Sequence, residues 1–222
     1  PSARTAGTLF TVTVNAVDAN WNVVNTVTDV VRTTSSDTSA TLPANAALVA
    51  GTKDFSVTLK TAGTATVTAT DITTPAITAN TSPSITVNPG AATIIALTSG
   101  NNQSGVVGTT LANLFLVTVR DAGGNLVSGI SVTFAIASTP GLSTGQALTV
   151  TNATTNASGQ ASSTLTLGNK AGTYLVTATA TGLSGSPVSF TAIARGGTAT
   201  AISMTSGNNQ SSVVQSTLAK VL

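Results

Sequence analysis

The chain contains no cysteine, no histidine and no glutamate. Without cysteine it forms no disulfide, and without cysteine or histidine it has no Cys/His zinc site. Without histidine, imidazole-based acid–base or nucleophilic catalysis is excluded as well. Charge is scarce: Asp, Lys and Arg together make up 6% of the 222 residues, against about 25% in an average soluble domain. Aromatic residues reach 3%, so any core must be built mainly from Val, Leu, Ile and Ala. No apolar run approaches the ~20 residues of a helical membrane span, so the segment is not expected to cross a membrane.

What is abundant points to a packed β protein. Hydrophobic residues make up 41% of the chain, and Ser plus Thr contribute about 70 residues. That is too apolar for disorder. The pI of 9.4 reflects missing acids, since the net charge is only +2. The cations Arg4, Arg32, Lys53, Lys60, Arg120, Lys170, Arg195 and Lys220 stand singly. A nucleic-acid face neutralises several adjacent phosphates and needs clustered cations, so no nucleic-acid partner is expected.

An internal repeat organises the chain. SGNNQS occurs at Ser99–Ser104 and again at Ser206–Ser211, an offset of about 107 residues, too long for a solenoid unit. The register extends outward: Gly90 matches Gly197, Thr93 matches Thr200, and Leu111-Ala112 matches Leu218-Ala219. A more distant copy precedes them. Leu9–Val14 resembles Leu114–Val119, and Ala62-Gly63-Thr64 matches Ala171-Gly172-Thr173. Apolar residues alternate with Thr or Ser through Leu9–Val14, Phe55–Leu59, Thr64–Thr70, Ser84–Val87, Leu114–Val119, Ser163–Leu167, Thr173–Ala180 and Val188–Ala192. Alternation with period two predicts strands with one buried and one solvated face. Asp/Asn/Gly clusters such as 18–22, 121–125 and 156–160 read as the turns between them. The Ala-rich piece Pro43–Ala50 is the one helical suspect, and it is short and led by proline.

The expected fold is therefore all-β: tandem immunoglobulin-like Greek-key β-sandwiches. The expected domains are residues 1–88, a sandwich lacking its first strand; 89–196, a full sandwich; and 197–222, the first strands of a further repeat. Tight joints at Asn88-Pro89-Gly90 and Arg195-Gly196-Gly197 predict restricted motion between neighbours. The first domain has no counterpart of Gly90–Gly105, whereas the tail from Gly197 copies that segment. Two readings follow: a window on a longer array, or head-to-tail assembly in which the tail of one subunit fills the vacancy of the next. In the second reading Thr198, Ile202 and Met204 belong to the donated strand.

The runs SGNNQSGVVGTTLANLFLVTVRDAGGNLVSGISVTF, TTNASGQASSTLTL and AGTYLVTATATGLSGSPVSFTA come in order at a spacing that resembles the invasin/intimin type of bacterial immunoglobulin-like domain. The resemblance covers residues 90–195 and restarts at 197. Residues 5–87 resemble a related filamin-type or immunoglobulin-like repeat through TAGTLFTVTVNAVDANWNVV and FSVTLKTAGTATVTATD, with a departure over Thr26–Thr38. The resemblance implies a stalk segment of an adhesin or other large surface protein, extracellular or at the cell surface. Its implied partners are copies of itself or neighbouring repeats, with host or neighbour-cell glycans or proteins bound through other domains.

Few residues carry chemistry. Asp18, Asn20 and Asn22 have the D-x-N-x-N spacing that opens a calcium loop, but the six to eight oxygens that calcium takes are not all evident. The alternative is a hairpin turn in which Asp and Asn bond their own backbone, and the same choice holds for Asp121–Asn125. No other cofactor is implied. Trp21, the chain's single Trp, sits at a turn tip and is expected to fold back over its own domain edge. Tyr174 follows Gly172 at the start of a strand, where sandwich domains place a tyrosine whose hydroxyl bonds nearby backbone; its expected role is structural. The six Asp residues are scattered, so no catalytic residues are expected and the chain does not read as an enzyme. A carbohydrate-binding accessory region would need aromatic platforms, and Trp21 and Tyr174 are poor material for one; decoration of a viral or phage surface is a further alternative.

Overall fold

The computed structural model describes residues 2–206, 211, 214 and 215. Every regular element among them is a strand, as expected where β-branched side chains alternate across a pleated, half-buried surface. The first nine are β1 (Arg4–Thr5), β2 (Leu9–Asn15), β3 (Val30–Ser35), β4 (Ala46–Ala47), β5 (Thr52–Thr58), β6 (Gly63–Ala65), β7 (Val67–Asp71), β8 (Asn80–Thr81) and β9 (Ile85–Asn88). They pair only with one another: β2 with β5, β1-β9-β6 in a second sheet, and β4-β3-β7-β8 in a third. Thr66 alone separates β6 from β7, so the last two sheets continue into one another. Two small clusters form the core, one around Val57, Leu59, Val67, Ile85 and Val87, the other around Val31, Leu48 and Phe55.

The remaining ten strands are β10 (Ala92–Ser99), β11 (Gln103–Val106), β12 (Phe115–Asp121), β13 (Ser131–Ser138), β14 (Ala147–Leu148), β15 (Asn152–Thr154), β16 (Gln160–Ser163), β17 (Leu165–Thr166), β18 (Gly172–Thr179) and β19 (Val188–Arg195). One sheet runs β10-β12-β16, with the pair β14-β17 beside it; the facing sheet runs β11-β19-β18-β13-β15. The chain passes from β12 in one sheet to β13 in the other, back to β16, and across again to β18 and β19. This is the Greek-key path of an immunoglobulin-like sandwich. Alternate residues point inward, so Phe115, Val117 and Val119 meet Phe134, Val176 and Phe190 in a single core. Phe115 and Phe190 stack with ring centroids 4.8 Å apart, and such pairs contribute about 1 kcal/mol beyond their buried area.

Local departures from the sequence reading have local causes. The run Thr64–Thr70 is interrupted because Thr66 bonds sideways, its N–H to Ser36 Oγ and its carbonyl to the Ser36 N–H. The stretch Thr26–Thr38, irregular by pattern, contains β3, with Val31 and Thr33 buried and Arg32 and Thr34 outward. Pro43–Ala50 forms no helix and supplies β4.

Candidate functional site

The two sandwiches share their framework turn by turn. Ala16 N–H donates to Gly51 O as Val119 N–H donates to Gly159 O; Val24 N–H donates to Ala16 O as Val127 N–H donates to Val119 O. This equivalence makes β2 the counterpart of β12 and exposes one difference. β12 has β10 on one side and β16 on the other, whereas β2 pairs with β5 alone. Among the described residues nothing pairs with its second edge. Beside that edge lies a cleft of about 780 Å³ lined by Val12 and Val14 of β2, by Ala16 just after it and, opposite, by Val67, Ala69 and Ile77. The hydrogen bonds thus shift the sequence match of Leu9–Val14 with Leu114–Val119 by two residues, making Val14 the counterpart of Val117 instead of Val119. Val12, Val14 and Ala16 remain half-exposed, while their counterparts Phe115, Val117 and Val119 are fully buried.

In the second sandwich that space is filled by β10. Ile95 lies opposite Val119 and Leu97 opposite Val117; Ile95 is 1% exposed. The segment 197–206 repeats this strand, with Ile202 in the place of Ile95 and Met204 in that of Leu97. It forms no strand, and Thr198, Ile202 and Met204 are all exposed, Ile202 completely. Among the described residues there is thus an unpaired edge at β2 and an unburied segment of the same kind as the strand that fills that place in the second sandwich.

Next to this edge in the repeat plan lies the joint between the sandwiches. Asp37 accepts the N–H groups of Ser39, Lys60 and Thr61 and the Thr61 hydroxyl, fixing the loop at 60–62. Asn125 then bridges to that loop: its Oδ1 accepts the Ala62 N–H at 2.9 Å and its Nδ2 donates to the Lys60 carbonyl at 2.9 Å. Asp121 holds Asn125 and, through Oδ2, accepts the N–H of the linker residue Gly90 at 2.8 Å. Burial opposes ionisation of Asp37, but the donors from Thr61, Lys60 and Ser39 outweigh it and hold the carboxyl below its usual range. Asp121 balances the same way, with burial overcome by Asn125, Gly90 and Gly123. Charge-assisted bonds of this kind are the stronger class. A cleft of about 410 Å³ remains in the joint, lined by Ala62, Gly63, Val87 and Pro89 on one side and by Gly124 and Leu126 on the other. The sequence reading missed Asp37 and Asn125 as joint residues because their partners lie far away along the chain.

Asp18–Asn22 has the geometry of Asp121–Asn125. Asp18 Oδ1 accepts the N–H groups of Asn20 and Asn22, both at 2.9 Å, and Asn22 Nδ2 donates to Oδ2 at 3.0 Å. These bonds, that of the Asn22 side chain foremost, hold the Asp18 carboxyl below its usual range. The carboxylate of the calcium candidate is thus used by N–H donors within the turn, and among the described residues no cluster of three His, Cys, Asp or Glu side chains could share a metal ion. Trp21 occupies the position of Gly124 with φ of 64° and is 75% exposed; it rims the β2 cleft instead of folding down over the domain edge. Tyr174 is fully buried, donating its hydroxyl to the Lys170 carbonyl at 2.9 Å and lying 2.7 Å from the Ser143 hydroxyl. It ties the end of β18 to two loops.

No curated protein sequence matches the chain. Among solved structures, the Escherichia coli adhesin FdeC is similar at 24% identity and TM-score 0.46, over 86% of this chain and 61% of that one. Yersinia pseudotuberculosis InvD is similar at 20% identity and TM-score 0.45, over 94% and 58%. A domain pair of intimin is similar at 17% identity and TM-score 0.41, over 88% and 96%. The sequence profile of the bacterial Ig-like domain (group 1) matches residues 95–193, the span of the complete sandwich. That second sandwich is the part of the chain that is similar to the bacterial Ig-like domains of group 1.

Proposed function

We propose that the chain is a non-enzymatic structural segment of an extracellular rod or filament on a bacterial surface, assembled head to tail by strand complementation. The reading is carried by one observation: the edge of β2 left unpaired among the described residues, with half-exposed Val12, Val14 and, just after it, Ala16, matches the exposed copy of β10 at 197–206. Transferred to β2, the pairing of β10 with β12 sets Ile202 opposite Ala16 and Met204 opposite Val14. Backbone bonds along the edge then supply affinity, and the buried apolar side chains supply register. Burying Ile202 alone stabilises the pairing by roughly 2 kcal/mol. The segment leaves β19 as β10 leaves β9, through a short Gly-containing linker, so it reaches a neighbour placed as the second sandwich sits on the first.

Sedimentation of the full chain tests this reading. Concentration-dependent association is expected, lost on Ile202→Asp and capped by a synthetic peptide of residues 197–206 but not by its scrambled form. Association that Ile202→Asp leaves intact overturns strand complementation.

A further inference from the structure

We propose that Trp21 and the Asp18–Asn22 turn form the acceptor half of a joint between copies of this chain, the other half being the loop Asn169–Ala171 and Gly197 of a second copy. The inference rests on the assembly reading above and adds a second contact to it. Within the chain, the turn Asp121–Asn125 grips the loop 60–62 through both ends of the Asn125 amide and takes the Gly90 N–H on Asp121. Every part of that grip recurs at the outer ends. Asp18 and Asn22 reproduce Asp121 and Asn125 bond for bond within the turn. Asn22 Oδ1, the counterpart of the atom that receives the Ala62 N–H, bonds to no described residue.

The complementary loop is equally well defined. Gly7 N–H donates to Leu59 O as Gly108 N–H donates to Gly168 O, which aligns Lys60 with Asn169 and Ala62 with Ala171. Gly63 and Gly172 follow with φ of 133° and 138°. Asn169 and Ala171 are exposed, and neither the Asn169 carbonyl nor the Ala171 N–H bonds to a described residue. Gly197 stands where Gly90 does.

The two turns differ at one residue, and the difference fits the task. Gly124 adopts its left-handed conformation freely, whereas Trp21 holds the same conformation with φ of 64°, which a bulky side chain rarely does. Strain of this kind persists where the surroundings require the side chain there. Gly124 leaves the internal joint with its cleft of about 410 Å³. In the joint between copies the indole of Trp21 occupies that space, against Ala171, Gly172, Ala194 and Gly196. The internal joint has a covalent linker and tolerates a gap; a joint between separate chains gains from apolar surface removed from water.

Because Trp21 is the single Trp, its emission reads the joint directly. The full chain is followed by sedimentation and Trp fluorescence across a concentration series. Association is expected to shift emission to the blue and to protect it from acrylamide. Asn22→Ala, which removes two hydrogen bonds across the joint along with the Asn22–Asp18 bond within the turn, is expected to weaken association roughly tenfold, and Ala171→Arg is expected to abolish the shift. Wild-type association that Ile202→Asp abolishes, with Trp21 in the associated wild-type chain neither shifted nor protected from acrylamide, overturns the joint and leaves strand complementation standing. A shift and association that persist in Ile202→Asp and vanish in Ala171→Arg uphold the joint and overturn strand complementation. A chain that stays monomeric with unchanged emission overturns both.

Discussion

Asp37 and Asp121 show how a chain with few charges spends them. Each carboxylate gathers backbone N–H groups that would otherwise lack partners, Asp37 from the loop 60–61 and Asp121 from the linker at Gly90. Both ionise more readily in the folded protein, so their contribution is complete above the unfolded-chain value of about 4 and is lost as the pH falls through the depressed folded value. Urea midpoints should therefore hold steady from neutral pH to about 4 and drop below it, and Asp37→Asn should flatten that drop. Tyr174 gives a second test. Tyr174→Phe leaves the Lys170 carbonyl and the Ser143 hydroxyl short of a partner and should cost about 1–2 kcal/mol in chemical unfolding. The spacing from Gly172 made Tyr174 readable in the sequence. Asn125 was not readable, because D-x-x-x-N describes an ordinary turn until the loop it grips is known.

Strands were legible wherever one face is buried and the other more open, as in β18 and β19, whose inward residues alternate without a break. β3 was obscured because its inward positions include Thr33, a buried residue whose Oγ1 has no hydrogen-bond partner. A polar side chain at that position breaks the apolar alternation. β10 and the segment 197–206 carry nearly the same residues in two environments, and this yields a sharp prediction. Ile95→Asp buries a carboxylate among Val119 and its neighbours and should destabilise the second sandwich by more than about 3 kcal/mol. Ile202→Asp in the monomer should change stability by less than about 0.5 kcal/mol. Denaturant unfolding of the two variants at low protein concentration, where association is minimal, checks the pair.

At the scale of the whole molecule, the described residues give the second sandwich a single core with strands on both sides of β12, and the first an unpaired β2 edge and two small clusters. Thermal unfolding should therefore show two transitions, the lower from the first sandwich, and the peptide 197–206 should raise the lower one alone. The tandem plan was visible in the repeated SGNNQS, but the joint was not, since it is made by residues that no repeat marks as special. The parallel pairs at the sandwich edges bear on load. β11 runs alongside β19 over four residue pairs, and β1 alongside β9 over two. Tension along the chain draws the two partners of a parallel pair in opposite directions, so their hydrogen bonds are loaded together and break in shear instead of unzipping one at a time. Stretched by its ends, the molecule should yield first at the two-pair clamp of the first sandwich, while the second sandwich holds to higher force. Single-molecule extension would read this as a short first event followed by a stronger one, making the first sandwich the element that gives way before the second is damaged.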